Sequence, residues 1–185
     1  PHRNQAAVLD SPTRWKLINC GGRFGKTRLA LIGGTLGHGP RQADGTPLRR
    51  GVAQGGMVAW VAPDYPQSRA IWQEEILPRF GGKAHLGVEI RETERQVRFP
   101  GGGFWEIRSA ESIDVLRGHQ WDGVIFDEAA HIDLHYAWEQ VVSLRLTDRA
   151  GWAMFPSTPN GGLDGNADKM IPSYFNRLCL KAVAG

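Results

Sequence analysis

The stretch INCGGRFGKT, residues 18–27, constrains the fold more than any other part of this 185-residue chain. Its end, Gly25-Lys26-Thr27, matches the last three positions of the phosphate-binding pattern G-x-x-x-x-G-K-[ST], while Cys20 occupies the position of the first glycine. Arg23 lies inside the loop. In such a loop, backbone N–H groups surround phosphate oxygens at a helix N-terminus, so the pattern predicts a nucleotide site.

The residues on either side predict the strand and the helix that a phosphate loop requires. The apolar run 15–19 ends at Gly21-Gly22 and predicts a buried strand. Apolar residues then recur at helical spacing after Lys26, at Leu29, Ile32 and Leu36. We expect the backbone N–H groups of residues 22–27 to bind phosphates, Lys26 to bridge their oxygens, and Thr27 to offer its hydroxyl to Mg²⁺.

Two further motifs follow apolar runs later in the chain. GVIFDEAAH places Asp127 and Glu128 at the end of a predicted strand, where α/β sheets bind ligands. Asp127 would hold Mg²⁺ through water, and Glu128 would act as the general base toward the attacking water. FPSTPNGG adds the hydroxyls of Ser157 and Thr158, followed by a Pro-Asn-Gly turn. Together with the phosphate loop, these motifs predict a nucleoside-triphosphate hydrolase.

The remaining pattern predicts a mostly parallel sheet covered by helices on both faces. Long crossovers separate apolar runs at 57–62, 123–126 and 152–155. Helices are expected from about Pro66, after the 123–126 run, and over 172–182. Residues 88–99 and 104–108 alternate around Pro100-Gly101-Gly102-Gly103 and predict an antiparallel hairpin. Residues 37–56 are predicted to form a loop. No second-domain boundary is apparent, so residues 1–185 are expected to form one domain.

Composition excludes several classes of protein. No apolar run approaches the roughly 20 residues that span a bilayer, and no signal peptide is apparent, so we expect a protein that is neither membrane-bound nor secreted. Two cysteines fit a reducing compartment. The formal charge of +3 is compatible with a nucleic-acid partner without requiring one. Because residue 1 is Pro, we expect the sequence to be part of a longer gene product.

These motifs, in this order, resemble the ATPase domain of the large terminase subunit of tailed bacteriophages, the motor that packages DNA into capsids. CGGRFGKT is similar to the family's phosphate loop, which often lacks the first glycine and carries an internal arginine. VIFDEAAH resembles its acidic motif, and STPNG its coupling motif. PHRNQ, residues 1–5, resembles the motif on the adenine side, and LRGHQWDG, residues 116–123, resembles the segment before the acidic strand.

The resemblance implies a fold, a substrate and a set of site residues. The fold would be a P-loop NTPase of the additional-strand type, with the strand that carries Ser157 between the strands that lead to Cys20 and Asp127. ATP and Mg²⁺ would be bound, and Gln5 would contact adenine. The residues expected to bind nucleotide are Gln5, Gly21, Gly22, Arg23, Phe24, Gly25, Lys26 and Thr27.

Two arginines are candidates for stabilising the transition state. Arg23 lies in the phosphate loop and could act only on its own subunit's nucleotide or brace the loop. Arg117 lies where the resembled family carries an arginine finger that reaches the next subunit, which would make it catalytic beside Glu128 and Lys26. The alternative is a structural arginine that pairs with Asp114 or Asp122.

The resemblance also implies partners and a location. Double-stranded DNA, the portal ring of the procapsid, the small terminase subunit and further copies in a ring, a pentamer in the family, would be the partners. The protein would act in the cytoplasm of the infected host, docked transiently on the procapsid. The family's nuclease domain has no counterpart in this sequence, so DNA cleavage is not expected. The candidates for DNA contact, by charge alone, are Arg41, Arg49, Arg50, Arg91, Arg95, Arg98 and Arg108.

Other functions remain open at this point. A helicase-like DNA-dependent ATPase shares the phosphate loop and the Asp-Glu pair, but no second ATP-binding lobe or later helicase motif is present. A nucleotide-binding scaffold without hydrolysis would be favoured if Glu128 were apolar or an amide. His131 and His135 are four residues apart and could share zinc, although the sequence supplies no third ligand.

Overall fold

A mostly parallel sheet organises the residues that the computed structural model describes, which are 1–158, 163–164 and 171–184. The described strands are, in chain order, β1 (Trp15–Asn19), β2 (His38–Arg41), β3 (Pro47–Arg49), β4 (Met57–Ala62), β5 (Glu89–Arg91), β6 (Gln96–Arg98), β7 (Phe104–Ser109), β8 (Gly123–Phe126), β9 (Trp152–Ser157), β10 (Leu163–Asp164) and β11 (Ile171–Pro172). Seven of them form the main sheet in the order β1-β9-β8-β4-β7-β6-β5. Its first five strands are parallel, and β6 and β5 continue it in antiparallel fashion.

Helices of three kinds connect these strands. The α-helices are α1 (Arg3–Asp10), α2 (Lys26–Leu36), α3 (Tyr65–Ala70), α4 (Leu77–Phe80) and α5 (Tyr174–Ala184). Ile71–Ile76 and His135–Val142 are π-helical. Short 3₁₀ segments are Val52–Gln54, Ala84–Leu86, Ala110–Gly118, Ala129–His131 and Ser143–Leu146. None of the helices within the described ranges is both long and apolar enough to cross a membrane.

The alternation of side chains along each central strand builds two cores, one on each face of the sheet. In β4, Val58 and Trp60 face the core that includes residues of α2, while Ala59 and Val61 face the core that includes residues of the 135–142 helix. Both faces are therefore buried. This burial explains why these strands appear in the sequence as continuous apolar runs rather than as alternating ones.

The order of the strands confirms the predicted fold. β9 lies between β1 and β8, with Asn19 beside Ser157 and Ile125 beside Met154. The predicted strands at 15–19, 57–62 and 123–126 have the expected bounds, and the strand at 152–155 extends to Ser157.

The structure corrects four local expectations. Residues 88–99 form two strands, β5 and β6, rather than one; only β6 pairs with β7. Residues 37–56 contain the β2–β3 hairpin as well as loop. Leu36, the last residue of α2, is 51% exposed rather than buried with Leu29. The last helix begins at Tyr174, after β11, rather than at residue 172.

A glycine pair in α2 allows the helix to approach the sheet closely. A Cβ on Gly34 would lie 2.0 Å from Cη2 of Trp105, whose indole is fully buried. A Cβ on Gly33 would lie 2.8 Å from the terminal methyl of Met154, a group at the end of a flexible side chain. Although both glycines reduce helix propensity, only Gly34 faces a rigid ring.

Alanine substitutions at this pair should therefore have different effects. Gly34→Ala should lower the free energy of unfolding by about 1–2 kcal/mol, because overpacking against Trp105 exceeds the gain in helix propensity. Gly33→Ala is the matched control and should stay within about 0.5 kcal/mol of the parent, since the Met154 methyl can rotate away. Urea unfolding measures both. Equal effects of the two substitutions would contradict this account of α2 packing.

Candidate functional site

Three parallel strands deliver the motif residues to one edge of the sheet. β1, β9 and β8 are neighbours, and the carboxyl ends of parallel strands lie on the same side. The chain leaves β1 at Cys20, whose N–H donates to the Ser157 carbonyl at 3.1 Å. The phosphate loop, the hydroxyls of Ser157 and Thr158 and the Asp127-Glu128 pair are therefore adjacent.

Lys26 connects all three strand ends. Its Nζ lies 2.6 Å from Oγ1 of Thr158 and 3.5 Å from Oε1 of Glu128. The backbone N–H of Thr158 donates to Oε2 of the same glutamate at 3.2 Å. Lys26, Thr158 and Glu128 thus form a triangle of contacts beside the phosphate loop. Each of these three residues therefore contacts the other two.

Asp127 occupies the more buried position of the acidic pair. Its Oδ2 accepts from the indole N–H of Trp60 at 3.3 Å, and its Oδ1 accepts from the N–H of Glu128 at 3.1 Å. Burial, and then the neighbouring charge of Glu128, raise the pKa of Asp127 to about 6. Glu128 adopts a left-handed backbone conformation with φ of 43°, which is unusual for a residue other than glycine.

Ser157 and Thr158 have separate contacts. The Ser157 hydroxyl is fully buried and accepts the N–H of Ala130 at 3.1 Å, which ties the end of β9 to the turn after Glu128. Thr158 instead contacts Lys26 and Glu128 directly. The turn predicted at Pro159-Asn160-Gly161 lies outside the described residues.

The phosphate loop leads into the N-terminus of α2, where the first N–H groups of a helix have no acceptor within the helix. Gly25 precedes α2 with φ of 82°, and Arg23 has φ of 62°. Gly21, Gly22 and Arg23 are exposed, and Thr27 in the first turn of α2 is partly buried. Partial burial raises the pKa of the Cys20 thiol, so this substitute for the first glycine is a neutral side chain at neutral pH.

Gln5 packs beneath the loop. It is only 3% exposed, and its Nε2 donates to the carbonyls of Phe24 and Gly25 at 2.9 and 3.1 Å. Its Oε1 accepts the N–H of His2 at 3.1 Å. All the hydrogen-bonding groups of this carboxamide are therefore engaged within the chain, and they brace the loop from the side opposite α2.

Arg117 lies on the exposed side of the 110–118 segment. Its Nε donates to Oδ1 of Asp114 at 2.7 Å, and the Tyr136 hydroxyl donates to both oxygens of that carboxylate at 3.0 and 3.1 Å. Asp122 takes no part, because its Oδ2 accepts from the N–H of Met57 and from Arg149. Of the two partners considered from sequence, the structure therefore has Asp114.

Most of the arginines considered for DNA contact have partners within the chain. Around the hairpin, Arg91 pairs with Glu89, Arg108 pairs with Glu106, and Arg95 stacks on Tyr65. Arg98 donates to Gln96, and Arg49 donates to the Pro12 carbonyl.

Within the described part of the chain, no group of three His, Cys, Asp or Glu side chains could hold a metal ion, so His131 and His135 lack a third ligand there.

Sequence reasoning did not identify several contacts of the site. Trp60, interpreted only as a core residue, contributes the N–H that fixes Asp127. Tyr136 joins the Asp114–Arg117 pair, itself considered from sequence, through a contact with Asp114 across 22 residues. The only sequence signal for that network was the Asp-x-x-Arg spacing within one short segment. The tyrosine could not be assigned without the fold.

Comparisons with known proteins agree with this architecture. No protein-family model matches the chain. The large terminase subunits of Thermus phage G20c and Thermus virus P23-45 are each 27% identical to it over 179 residues, covering 87% of this chain and 34% of the relative. The chain thus spans about a third of the length of these curated relatives.

Solved structures are similar in fold. The large terminase ATPase domain of Thermus phage P74-26 has a TM-score of 0.65 and 23% identity, covering 88% of this chain and 66% of that one. The large terminase of bacteriophage HK97 has a TM-score of 0.68 and 15% identity, covering 100% of this chain and 37% of that one. The resemblance to the large terminase ATPase domain that the motifs indicated is confirmed.

The raised pKa of Asp127 predicts a pH-dependent cost to stability. An unfolded aspartate has a pKa of about 3.9, so ionising Asp127 costs the folded state free energy. The cost is fully present above pH 6 and disappears as the pH falls below about 4. In metal-free buffer, Asp127→Asn should raise the free energy of unfolding by about 1–3 kcal/mol at pH 7.5, with the difference vanishing near pH 4. Urea unfolding with EDTA measures this.

Asp114→Asn provides a control of opposite sign. Hydrogen bonds from Arg117 and Tyr136 lower the pKa of Asp114, so its ionised form favours the folded state and its removal should not stabilise the protein at pH 7.5. An Asp127→Asn variant that is no more stable than the parent at pH 7.5 would contradict the burial cost assigned to this carboxylate.

Proposed function

We propose that this chain, which resembles the ATPase domain of large terminase subunits, hydrolyses ATP to drive double-stranded viral DNA into the procapsid. The observation that supports this most is the contact of Lys26 with both Thr158 and Glu128 at the edge of three parallel strands. A phosphate-binding cation, a coupling hydroxyl and a carboxylate base meet at one point. This is the arrangement that phosphoryl transfer to water requires.

Nucleotide binding would use the loop between β1 and α2. The backbone N–H groups of residues 22–27 would receive the phosphates at the N-terminus of α2, and Lys26 would bridge their oxygens. The Thr27 hydroxyl would hold Mg²⁺, and the Asp127 carboxylate would hold it through water, since Mg²⁺ prefers oxygen ligands. When bound, Mg²⁺ would neutralise charge on the phosphates.

Binding would rearrange the triangle of Lys26, Thr158 and Glu128. Phosphate oxygens attract Lys26 away from Glu128, which leaves the glutamate free to accept a proton from the attacking water. Thr158 would then exchange its lysine contact for the γ-phosphate or the water. Ser157, bonded to the N–H of Ala130, would keep β9 in register with the turn after Glu128 during this exchange. Loss of the γ-phosphate would restore the triangle and pull on the chain beyond Thr158.

The proposed roles of Gln5 and Arg23 depend on the loop. Gln5 would act from the adenine side of the site, although contact with the base requires its carboxamide to exchange a loop carbonyl for adenine. Through the carbonyl bond that it keeps, it would transmit adenine binding to the loop. Arg23, exposed and with no side-chain partner among the described residues, would act on its own subunit's phosphates.

We assign Arg117 as the arginine finger that acts on the neighbouring subunit. A guanidinium inserted at the transferring phosphate raises the hydrolysis rate by about 10³–10⁵ in related chemistry. Subunits would form a closed ring, a pentamer as the resemblance implies, on the portal of the procapsid in the host cytoplasm. The small terminase subunit would bring the DNA. Within residues 1–185 we propose one ATPase domain, with no DNA cleavage.

Phosphates of DNA would be contacted without regard to sequence. Among the arginines considered, Arg50 is exposed and its side chain has no partner among the described residues. The arginines around the β5–β6 hairpin are engaged within the chain, and they would have to exchange those partners for phosphates.

Substitutions at Glu128 and Lys26 test the hydrolysis mechanism. Glu128→Gln should bind Mg²⁺-ATP with unchanged affinity and hydrolyse it about 10²–10⁴-fold more slowly, because the amide keeps the shape but cannot take a proton. Lys26→Ala should lose nucleotide binding as well as turnover. Phosphate release and fluorescent-nucleotide titration measure the two properties. Normal turnover by Lys26→Ala would refute the nucleotide site.

The same assays separate the alternatives. A nucleotide-binding scaffold would bind ATP without releasing phosphate, in the parent as in Glu128→Gln. A helicase-like ATPase would be stimulated by DNA and would unwind duplexes without any procapsid. We favour the packaging motor because the large terminase resemblance covers most of the chain in both sequence and fold.

Mixing experiments test the finger. Arg117→Ala rings should bind ATP normally and lose hydrolysis by about 10³-fold or more. Lys26→Ala subunits carry an intact Arg117 and a dead site, so mixing should restore turnover in the intact sites of the Arg117→Ala subunits. Undiminished hydrolysis by assembled Arg117→Ala would assign the role elsewhere, with Arg23 as the first alternative.

A further inference from the structure

The partners of Arg117 hold one side of its guanidinium. Its Nε donates to Asp114 at 2.7 Å, and the Tyr136 hydroxyl also interacts with the guanidinium. The side chain is 41% exposed. An arginine binds phosphate oxygens best through a planar fork of N–H groups. Asp114 thus occupies the Nε side of the guanidinium, and the exposed part of the side chain can receive phosphate oxygens.

Tyr136 fixes the carboxylate in this orientation. Its hydroxyl lies 3.0 Å from Oδ1 and 3.1 Å from Oδ2 of Asp114, so it sits across both oxygens. Because the hydroxyl and the guanidinium both donate to Asp114, rotating the carboxylate would cost two hydrogen bonds. An isolated surface pair such as Asp114–Arg117 would hold the arginine only weakly. The added tyrosine turns the pair into a network.

The backbone that carries Arg117 is anchored independently of this network. Ile113 and Leu116 are buried, and the Leu116 carbonyl accepts the indole N–H of Trp121 at 2.9 Å. At the other end of the segment, Glu111 accepts the N–H of Tyr65 at 3.0 Å. The position of the segment is therefore set by the core. Asp114 and Tyr136 therefore determine only the direction of the Arg117 side chain.

We propose that Asp114 and Tyr136 are positioning residues that orient the guanidinium of Arg117 toward the phosphates bound by the neighbouring subunit. This rests on the proposed function, in which Arg117 acts in trans. Neither residue would touch the nucleotide. Their contribution is preorganisation: the fork is held before the subunits meet, so less side-chain freedom is lost when it binds phosphate.

The network also links the finger to the subunit's own site. Tyr136 belongs to the 135–142 helix, which follows the Asp127-Glu128 pair through the 129–131 turn. The N–H of Ala130 in that turn donates to Ser157 at the end of β9. A shift of this turn when nucleotide binds or leaves would move Tyr136. The orientation of Arg117 would thereby depend on whether the site of its own subunit holds nucleotide.

A trans-rescue assay tests this assignment. Arg117→Ala subunits supply intact sites without fingers, and Lys26→Ala subunits supply fingers without active sites. In mixed assemblies, fingers from Lys26→Ala/Tyr136→Phe subunits should restore about 3- to 10-fold less turnover than fingers from Lys26→Ala, as expected for one lost hydrogen bond. Lys26→Ala/Asp114→Ala should be worse still. A residue that acted only on its own fold or site would leave this rescue unchanged.

Matched controls complete the assay. Tyr65→Phe removes an exposed hydroxyl that has no partner among the described residues, so Lys26→Ala/Tyr65→Phe should rescue as well as Lys26→Ala. In single subunits, the NMR signal of the Arg117 ¹⁵Nε–H group should broaden in the Tyr136→Phe variant and stay sharp in the Tyr65→Phe variant. The midpoint of thermal unfolding should be the same for the Tyr136→Phe and Tyr65→Phe variants, which would exclude a folding defect.

The outcomes separate this inference from the function on which it rests. If Arg117→Ala retains full hydrolysis, the finger itself is refuted, and the positioning role with it. If Arg117→Ala loses hydrolysis while the Tyr136→Phe and Asp114→Ala fingers rescue fully, only the positioning role is refuted. An unchanged ¹⁵Nε–H signal in Tyr136→Phe would overturn it in the same way.

Discussion

The parallel pairing of β1 with β9 is the contact on which the rest of the site depends. It places Ser157 beside Asn19, so the hydroxyl pair begins where the phosphate loop begins. On its other side, β9 pairs with β8, which ends at Asp127. A direct pairing of β1 with β8 would leave no strand to carry Thr158 between Lys26 and Glu128. The contacts among these three residues therefore follow from the strand order, which the two buried cores fix.

In this structure the site satisfies its own charges at some cost. Lys26 and Glu128 partly neutralise each other, but Asp127 is held beside Glu128 with a raised pKa, a position that destabilises its ionised form. The left-handed backbone of Glu128 adds strain of the kind that accumulates at functional sites. Under the proposed function, a divalent cation would offset the first of these costs by stabilising the Asp127 charge. The burial that makes the ionised Asp127 unfavourable in the folded chain would thus favour binding of the cation.

The extent to which sequence determined these conclusions differs among elements. The central strands and α2 were predictable because burial on both faces and helical spacing are local patterns. The division of residues 88–99 was not, since it depends on Arg95, which enters a turn with φ of 51° and stacks on Tyr65. Gln5 was predictable as part of a motif but not as a brace for the loop, because its contacts span about twenty residues. The contact between Asp114 and Tyr136 was not predictable, because the two residues meet only in the folded chain.

The sheet order bears on whether Arg117 can serve its own site. The 110–118 segment leaves β7 and packs over β4 and β7, which lie three and four strands from β1. At about 4.8 Å per strand, this separation is roughly 14–19 Å, longer than an arginine side chain. This strand count separates the segment from the phosphate loop between β1 and α2, whereas Glu128 follows β8, the direct neighbour of β4. Arg23 is the arginine that the loop itself carries, so under the proposed function a lone subunit would supply Lys26, Glu128 and Arg23 from its own chain. Because Arg117 is paired with Asp114 and has no contact with these residues among the described ones, the proposed function directs it to a nucleotide bound by a second copy of the chain.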